Sequence, residues 1–497
     1  MSKKGFVDLE NEKNGKIAFI WFPNNKKVPI KGIQQPLYLR KKLARLSLMD
    51  RQLLLLKDNG FLEIVFISNE EDFLESIKNE LMKKQWSENG FKFDFFSPKE
   101  LVNYIDGKEK NNSTDSIINL SGEWLFDKRL IKYLAKNMLI DKQRAKEERG
   151  KEIVFIQEDR EEILRKKQQH LIFNEFLPII GMMKGKNTIF KQLEKETGKN
   201  ELTNPFETLF AIGLKEPHKR IQLSEIPTYI TSMRRELPIR YSVIRGRKEL
   251  SKAKWLLVKQ TQKGTLDFIA WYFNRPLENL TVYLIANGPL TPNQITVIVN
   301  ILAFIVAGCF IASPYLITDH LMLARALPWL AFIGLVGVNI LDGVDGKLAR
   351  IRDKLTLLGH LEYSFDQLYE QTVYFAAMWY SLTITEQKLI PWIVLIITFL
   401  IMDTFNRHVS MQYYNVMRIS LADSGKLDRL FRRIDGRRNT YTIHFLIFLL
   451  LPWKQYLIIS MLIHATITSL VYTSRAIYHL RRADKGIFPK TEEVFET

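Results

Sequence analysis

Acidic side chains at helical spacing offer the clearest chemistry in this sequence. Asp342 and Asp345 are separated by three positions, and Glu362, Asp366 and Glu370 follow at intervals of four. On helices each set shares one face, so two facing helices bring at least four carboxylates together. Acidic groups at membrane depth are costly and usually mark a function. Like charges this close need cations, and oxygen ligands favour Mg²⁺ or Mn²⁺.

Small residues and an arginine follow the first acidic pair. Gly346 and Ala349 have almost no side chain, so a flat or bulky ligand can lie against the backbone there. Arg350 can pair with a phosphate. The alternative is that the acids are simply solvated at helix ends. The whole set, with its small residues and arginine, favours a binding site.

The same stretch resembles the signature of CDP-alcohol phosphotransferases, Asp-x2-Asp-Gly-x2-Ala-Arg-x8-Gly-x3-Asp-x3-Asp. The positions that match in place are Asp342, Asp345, Gly346, Ala349, Arg350 and Gly359. The third acid is Glu362 rather than Asp, and the gap before it is one residue short. Asp366 matches the fourth acid. Pro292-Asn293-x2-Thr296 resembles the family's opening of its first span, and the resemblance covers about residues 264–482.

This resemblance implies a CDP-linked donor, an alcohol acceptor and the release of CMP. It implies metal ligands at Asp342, Asp345 and Glu362, while Asp366 completes the metal shell or accepts the proton of the acceptor hydroxyl. The implied nucleotide-binding residues are Asn293, Thr296, Asp342, Gly346, Ala349 and Arg350.

Three arginines near the predicted site suit a phosphorylated acceptor, such as an inositol phosphate. They are Arg407, Arg437 and Arg438, at the ends of apolar segments. The alternative is that they follow the positive-inside rule and meet anionic lipid headgroups.

Long apolar runs fill the second half of the chain and predict an all-α bundle of six transmembrane helices. A span needs about 20 mainly apolar residues, and the candidates are 294–313, 322–342, 363–384, 389–405, 440–453 and 455–475. Lys and Arg concentrate after the second, fourth and sixth. The positive-inside rule then predicts a multi-pass protein of the cell membrane with both termini in the cytoplasm. The absence of a signal-like apolar segment after Met1 agrees with this orientation.

Composition excludes some classes of function. The net charge is +18 over 497 residues, but the basic residues follow the predicted topology, which disfavours nucleic-acid binding. The single cysteine, Cys309, excludes a disulfide or cysteine-metal framework.

The first half predicts an α/β domain with a mostly parallel sheet. Strand-like runs at Ile17–Phe22, Leu62–Ser68, Ser116–Leu120 and Ile153–Gln157 alternate with amphipathic segments. Three short segments resemble parts of a sugar-phosphate nucleotidyltransferase domain: Pro29–Ile33, Asn59-Gly60 and Leu120–Glu123. Fused proteins of that kind join an inositol-phosphate cytidylyltransferase to a phosphotransferase that makes di-inositol phosphate.

The nucleotidyltransferase-like features are incomplete. The stretch Trp21–Lys27 has no glycine where such enzymes cradle phosphates with a Gly-rich loop, and the metal-binding Gly-Asp position is Gly122-Glu123. The domain is therefore predicted to be degenerate. Glu123 and Asp127 are its candidate ligands if it is active.

The predicted domains are 1–262, nucleotidyltransferase-like; 263–288, an interfacial amphipathic helix that contacts membrane lipid or a linker helix packed on the bundle; 289–484, the transmembrane phosphotransferase; and 485–497, a cytoplasmic tail. The family resemblance also implies a homodimer. The alternatives left open are a phospholipid synthase that uses CDP-diacylglycerol and a catalytically impaired membrane scaffold. A transporter is disfavoured because the acids cluster at one edge.

Overall fold

The structure is a computed structural model that describes residues 15–22, 39, 42–110, 114–135, 153–157, 176–183, 187–197, 205–216, 218–230, 233–244, 246–264, 266–354, 356, 358–385 and 389–489. The chain divides into two compact units. The first contains Met1–Thr228 and Pro238–Lys254, and the second contains Tyr229–Leu237 and Trp255–Thr497. The four predicted functional domains stay a prediction.

A seven-stranded sheet forms the centre of the first unit. Its strands are β1 (Gly15–Trp21), β2 (Glu63–Ile67), β3 (Lys92–Phe96), β4 (Thr114–Ser121), β5 (Ile153–Gln157), β6 (Phe176–Met183) and β7 (His218–Gln222), in the order β3-β2-β1-β4-β6-β5-β7. The pairs β1–β2, β1–β4, β2–β3 and β5–β7 are parallel, and only β6 runs antiparallel to its neighbours among these strands. The predicted α/β fold with a mostly parallel sheet is confirmed.

The apolar pattern of β1 explains its central place. Residues Ile17 to Trp21 are all at most 1% exposed, as expected for a strand covered on both faces. The helices described in this unit are α1 (Leu48–Lys57), α2 (Glu71–Lys83), α3 (Leu101–Lys110), α4 (Asn187–Thr197) and α5 (Pro205–Lys215), and they are followed by α6 (Arg247–Gln260).

All four predicted strands form, but the other three strands of this seven-stranded sheet escaped prediction. Lys92–Phe96 is half exposed and carries charges between its aromatic residues, so it lacks the continuous apolar run of a buried strand. Phe176–Met183 contains Pro178 and Gly181, which are disfavoured within strands. His218–Gln222 is mostly polar.

Helices make up most of the second unit. A π-helical turn (Ala270–Asn274) leads into α7 (Arg275–Ile285), followed by α8 (Pro292–Ala312), α9 (Leu321–Ile351), α10 (Glu362–Thr383), α11 (Leu389–Met417), α12 (Lys426–Phe431), α13 (Arg438–Leu450) and α14 (Tyr456–Asp484). Thr291 caps α8, since its side chain accepts a hydrogen bond from the Gln294 N–H in a capping box.

Four described helical segments are long and apolar enough to cross a membrane: Pro292–Leu316, Leu321–Ile351, Ile390–Met417 and Tyr456–Asp484. These four segments have the length and composition expected of a membrane protein. The other two predicted spans are the helices α10 and α13. Three acids lie in the first half of α10, and α13 has only 13 residues. The six-span count and the orientation stay predictions.

Arg352 fixes the connection between α7 and α8. Its side chain is 2% exposed and donates hydrogen bonds to the carbonyl oxygens of Ile285, Ala286, Gly288 and Leu290. Because the last carbonyls of a helix lack partners within it, this guanidinium satisfies the end of α7. Arg352 is one of the basic residues that follow the second predicted span, where the positive-inside rule suggests a solvated loop charge, but its side chain is a buried structural group.

Candidate active site

Asp345 is the most enclosed of the predicted metal ligands. It lies on α9, is 2% exposed, and accepts hydrogen bonds from the Thr296 hydroxyl at 2.7 Å and from the Gly346 N–H at 2.6 Å. Its carboxyl group also comes within hydrogen-bonding reach of Glu362. Residues from α8, α9 and α10 thus meet at this carboxylate, and Thr296 positions Asp345.

Asp342 lies one turn earlier on the same face of α9. One carboxylate oxygen accepts a hydrogen bond from the Tyr369 hydroxyl at 2.9 Å, and the other accepts from the Arg438 guanidinium at 2.5 Å. Arg438 also contacts the Tyr369 hydroxyl, and Asp366 lies within hydrogen-bonding reach of Asp342. The structure therefore brings all four acids of the signature together in two pairs, Asp345–Glu362 and Asp342–Asp366.

The environment of Glu362 favours its protonated form. Burial and the nearby Asp342 carboxylate raise the pKa of Glu362, while Lys263 and Arg350 oppose this shift. A divalent cation would remove the repulsion between these acids, because like charges this close cannot all be ionised without one.

The donor set fits a hard divalent ion by its chemistry. All four side chains offer carboxylate oxygens, the ligands that Mg²⁺ and Mn²⁺ prefer. Within the described ranges, no three carboxylate, imidazole or thiol groups are arranged around one point to hold a metal. The acids lie in two pairs, and Arg438 forms an ion pair with Asp342.

Each arginine predicted to bind an acceptor phosphate contacts a protein carboxylate. Arg407 pairs with Glu370 and with Asp403, the latter at 2.9 Å. Arg437 pairs with the fully buried Asp435 at 2.8 Å. Arg438 pairs with Asp342, and its second terminal nitrogen lies 3.5 Å from Glu370. Two of the three therefore adjoin the acidic cluster, and their role in binding phosphate stays a prediction.

Of the residues predicted to bind nucleotide, Thr296, Gly346 and Arg350 lie beside the same carboxylates. Arg350 donates from Nε to the Thr261 carbonyl oxygen at 2.8 Å. A Cβ at Gly346 would stand 3.2 Å from Nη1 of Arg350, so the glycine lets the guanidinium lie close to α9. Ala349 is half-buried on α9, and Asn293 is exposed in the first turn of α8.

A buried ion pair that sequence reasoning missed joins α7 to α9. Lys347 donates to Glu278 at 2.7 Å and to the Asn279 side-chain oxygen at 2.7 Å. A Cβ at Gly343 would stand 2.5 Å from the Glu278 carboxyl carbon. Gly343, between the two aspartates of the signature, therefore makes room for this fifth acid.

Replacing Glu278 with Ala should destabilise the second unit. Lys347 is 1% exposed, and breaking a buried pair by removing one partner costs about 3–5 kcal/mol. Thermal unfolding of the detergent-solubilised protein, followed by tryptophan fluorescence, measures the loss. Glu278→Gln with Lys347→Met should restore most of it, and Asp319→Ala, an exposed acid, is the control. An unfolding temperature unchanged by Glu278→Ala would contradict this role.

Some missed residues had a detectable signal. Tyr369 lies seven positions after Glu362 and three after Asp366, so helical spacing places it on the acidic face of α10. No sequence signal marked Glu278 or Lys263 as part of the site, because both lie far from the signature along the chain.

Of the two candidate ligands of the first unit, Asp127 is held in an ion pair. Asp127 pairs with Arg129 at 2.7 Å. A Cβ at Gly122 would stand 2.1 Å from the Phe22 ring, so this ring packs directly against the Gly122 backbone beside Glu123. The glycine-free stretch Pro23–Lys27 and the segment Pro29–Ile33 lie outside the described residues.

The second half of the chain thus combines paired acids with helices long and apolar enough to cross a membrane, and it follows an α/β domain. Residues 289–471 match the family model described as CDP-alcohol phosphatidyltransferase, which confirms the resemblance of the signature. A curated relative, the bifunctional IPC transferase and DIPP synthase of Thermococcus kodakarensis, is 32% identical over 139 residues. That alignment covers 28% of this chain and 28% of the relative.

Two solved structures resemble the first half of the chain at a low level. One is a putative glucose-1-phosphate thymidylyltransferase from Bacillus anthracis, with 12% identity and a TM-score of 0.35, covering 48% of this chain and 94% of that one. The other is the inositol-1-phosphate CTP transferase from T. maritima, with 13% identity and a TM-score of 0.30, covering 49% and 95%.

Proposed function

We propose that the second unit is a divalent-metal-dependent phosphotransferase. It transfers a phospho-alcohol group from a CDP-linked donor to an alcohol acceptor and releases CMP. The observation that supports it most is the convergence of Asp342, Asp345, Glu362 and Asp366 from two helices within the region that matches the family model.

In the proposed reaction the acceptor hydroxyl oxygen attacks the donor phosphorus that bears the alcohol. A new phosphorus–oxygen bond forms, and the bond from that phosphorus to CMP breaks. Asp366 takes the hydroxyl proton, and Arg350 pairs with a substrate phosphate. When bound, the divalent ion neutralises the diphosphate and stabilises the leaving CMP. Asp342, Asp345 and Glu362 would hold it, and Thr296 fixes the orientation of Asp345.

We propose a phosphorylated polyol acceptor, such as an inositol phosphate. Arg407 and Arg438 supply positive charge beside the acidic cluster, and Arg437 lies next to Arg438 in the chain. The partial alignment with an IPC transferase and DIPP synthase points the same way.

Asn293, at the start of α8, and Ala349 would contact the nucleotide. We place both termini in the cytoplasm, and we propose a homodimer.

The test is CMP release by the full chain in detergent. The donors are CDP-inositol, CDP-glycerol and CDP-diacylglycerol, each with free and phosphorylated polyols. A soluble CDP-linked donor should support turnover. Turnover with CDP-diacylglycerol alone would identify a phospholipid synthase. No CMP release from any donor would overturn the enzyme proposal and favour the scaffold.

Metal removal should abolish this activity. Carboxylates in contact need a cation to bind an anionic diphosphate, so excess EDTA should reduce CMP release to background. Mg²⁺ or Mn²⁺ added beyond the chelator should restore it, and Na⁺ at equal ionic strength is the control. Full CMP release in EDTA would contradict metal dependence.

A further inference from the structure

The short segment Thr261–Gly264, which precedes the π-helical turn, is fixed at two points. Arg350 donates to the carbonyl oxygen of Thr261 at 2.8 Å, and the Gly264 N–H donates to the carbonyl oxygen of Met233 at 2.8 Å. A Cβ at Gly264 would stand 2.1 Å from the Arg234 carbonyl oxygen, so this close approach requires glycine. Lys263 lies between the two points, and its position is therefore defined.

The surroundings of Lys263 are rich in positive charge. Arg350 and Arg234 lie close enough to disfavour its charged form, and the Glu362 carboxylate opposes them. Asp423 lies 3.8 Å from Arg234 and balances that arginine in part. Burial and then the two arginines lower the pKa of Lys263 to about 8, although its side chain still reaches solvent.

The donors of Lys263 and Arg350 remain available for a ligand. Among the residues that the structure describes, no carboxylate lies within ion-pairing distance of either side chain, and only Nε of Arg350 donates a hydrogen bond. Nη1 and Nη2 lie 3.2 and 3.6 Å from where a Cβ of Gly346 would stand. Because Gly346 has no side chain, the guanidinium can lie against α9 near Asp345.

We propose that Lys263 and Arg350 together bind a phosphate group of the substrate beside Glu362. The planar guanidinium can bind two phosphate oxygens, and the ammonium adds a compact positive charge. Lys263 lies outside the signature and is a new substrate-binding residue. The inference rests on the proposed function. The phosphate is either the diphosphate of the donor or the phosphate monoester of the acceptor.

Titration calorimetry with the full chain in detergent tests this assignment and separates the two sources. CDP represents the donor, and myo-inositol 1-phosphate represents the acceptor. Lys263→Ala should weaken one of them about tenfold or more, since a hydrogen bond to a charged group is worth roughly 1.5–3 kcal/mol. Lys263→Arg should retain most of the affinity. Lys259→Ala, which removes an exposed lysine four residues earlier, should change neither.

The outcomes distinguish this inference from the function on which it rests. Weaker binding of CDP alone assigns the donor diphosphate, and weaker binding of myo-inositol 1-phosphate alone assigns the acceptor. Unchanged affinity for both, or no binding of either by the wild type, overturns the inference. If the wild type releases no CMP but Lys263→Ala still weakens CDP binding, the phosphate site stands and the proposed reaction fails.

Discussion

Asp345→Ala should reduce CMP release by about 10³-fold, which corresponds to roughly 4 kcal/mol of transition-state stabilisation. Asp345 is 2% exposed, and the Thr296 hydroxyl and the Gly346 N–H orient its two oxygens. A carboxylate held this way is preorganised, and no solvent-exposed acid can replace it. The initial rate at saturating donor and Mg²⁺ measures the loss.

Asp319→Ala is the matched control for this substitution. Asp319 is exposed and precedes the first turn of α9, while Asp345 lies in the last two turns. Both variants should keep the wild-type unfolding temperature within a few degrees. A folded Asp345→Ala protein with wild-type activity would refute the proposed site.

Thr296→Val provides a graded companion measurement. It removes the hydroxyl that donates to Asp345 at 2.7 Å but leaves every carboxylate in place. We expect a smaller loss than for Asp345→Ala, with a higher Mg²⁺ concentration at half-maximal rate, because residues that orient metal ligands commonly tune affinity about 10–100-fold. An unchanged Mg²⁺ requirement would restrict Thr296 to a packing role.

The sequence was sufficient to predict the parts of the site that follow from helical periodicity. Asp342 and Asp345 share a face of α9, Glu362 and Asp366 share a face of α10, and contacts between the pairs meet that expectation. The shortened gap before Glu362 does not prevent its contact with Asp345. That the site is active with Glu362 in this position is a prediction, which the CMP-release assay tests.

Contacts between distant segments were beyond sequence reasoning. No spacing rule relates Glu278 to Lys347 or Lys263 to Arg350, because tertiary packing alone sets their separation. The same limit applies to Arg352, whose charge suggested a solvated loop but whose donors satisfy the end of α7. In the first unit, edge and antiparallel strands were missed because polar residues, proline or glycine interrupt their apolar runs.

Asp366→Asn should lower kcat by about 10²–10⁴-fold, the usual contribution of a general base. Asn keeps the size of the side chain and can still hydrogen-bond to Asp342, but it cannot accept the proton of the acceptor hydroxyl. If proton acceptance is its role, the Mg²⁺ concentration at half-maximal rate should change little. Mg²⁺ titrations of the wild type, Asp366→Asn and Asp319→Asn measure both quantities.

The alternative role of Asp366 makes the opposite prediction for the metal. As a member of the metal shell, Asp366 would contribute to Mg²⁺ affinity, so Asp366→Asn would raise the Mg²⁺ requirement and excess metal would recover much of the rate. We expect proton acceptance instead, because Asp342, Asp345 and Glu362 are already assigned to the metal. Asp366 lies beside Asp342, with Arg438 nearby. Recovery of activity by Mg²⁺ alone would therefore reassign Asp366 as a metal ligand.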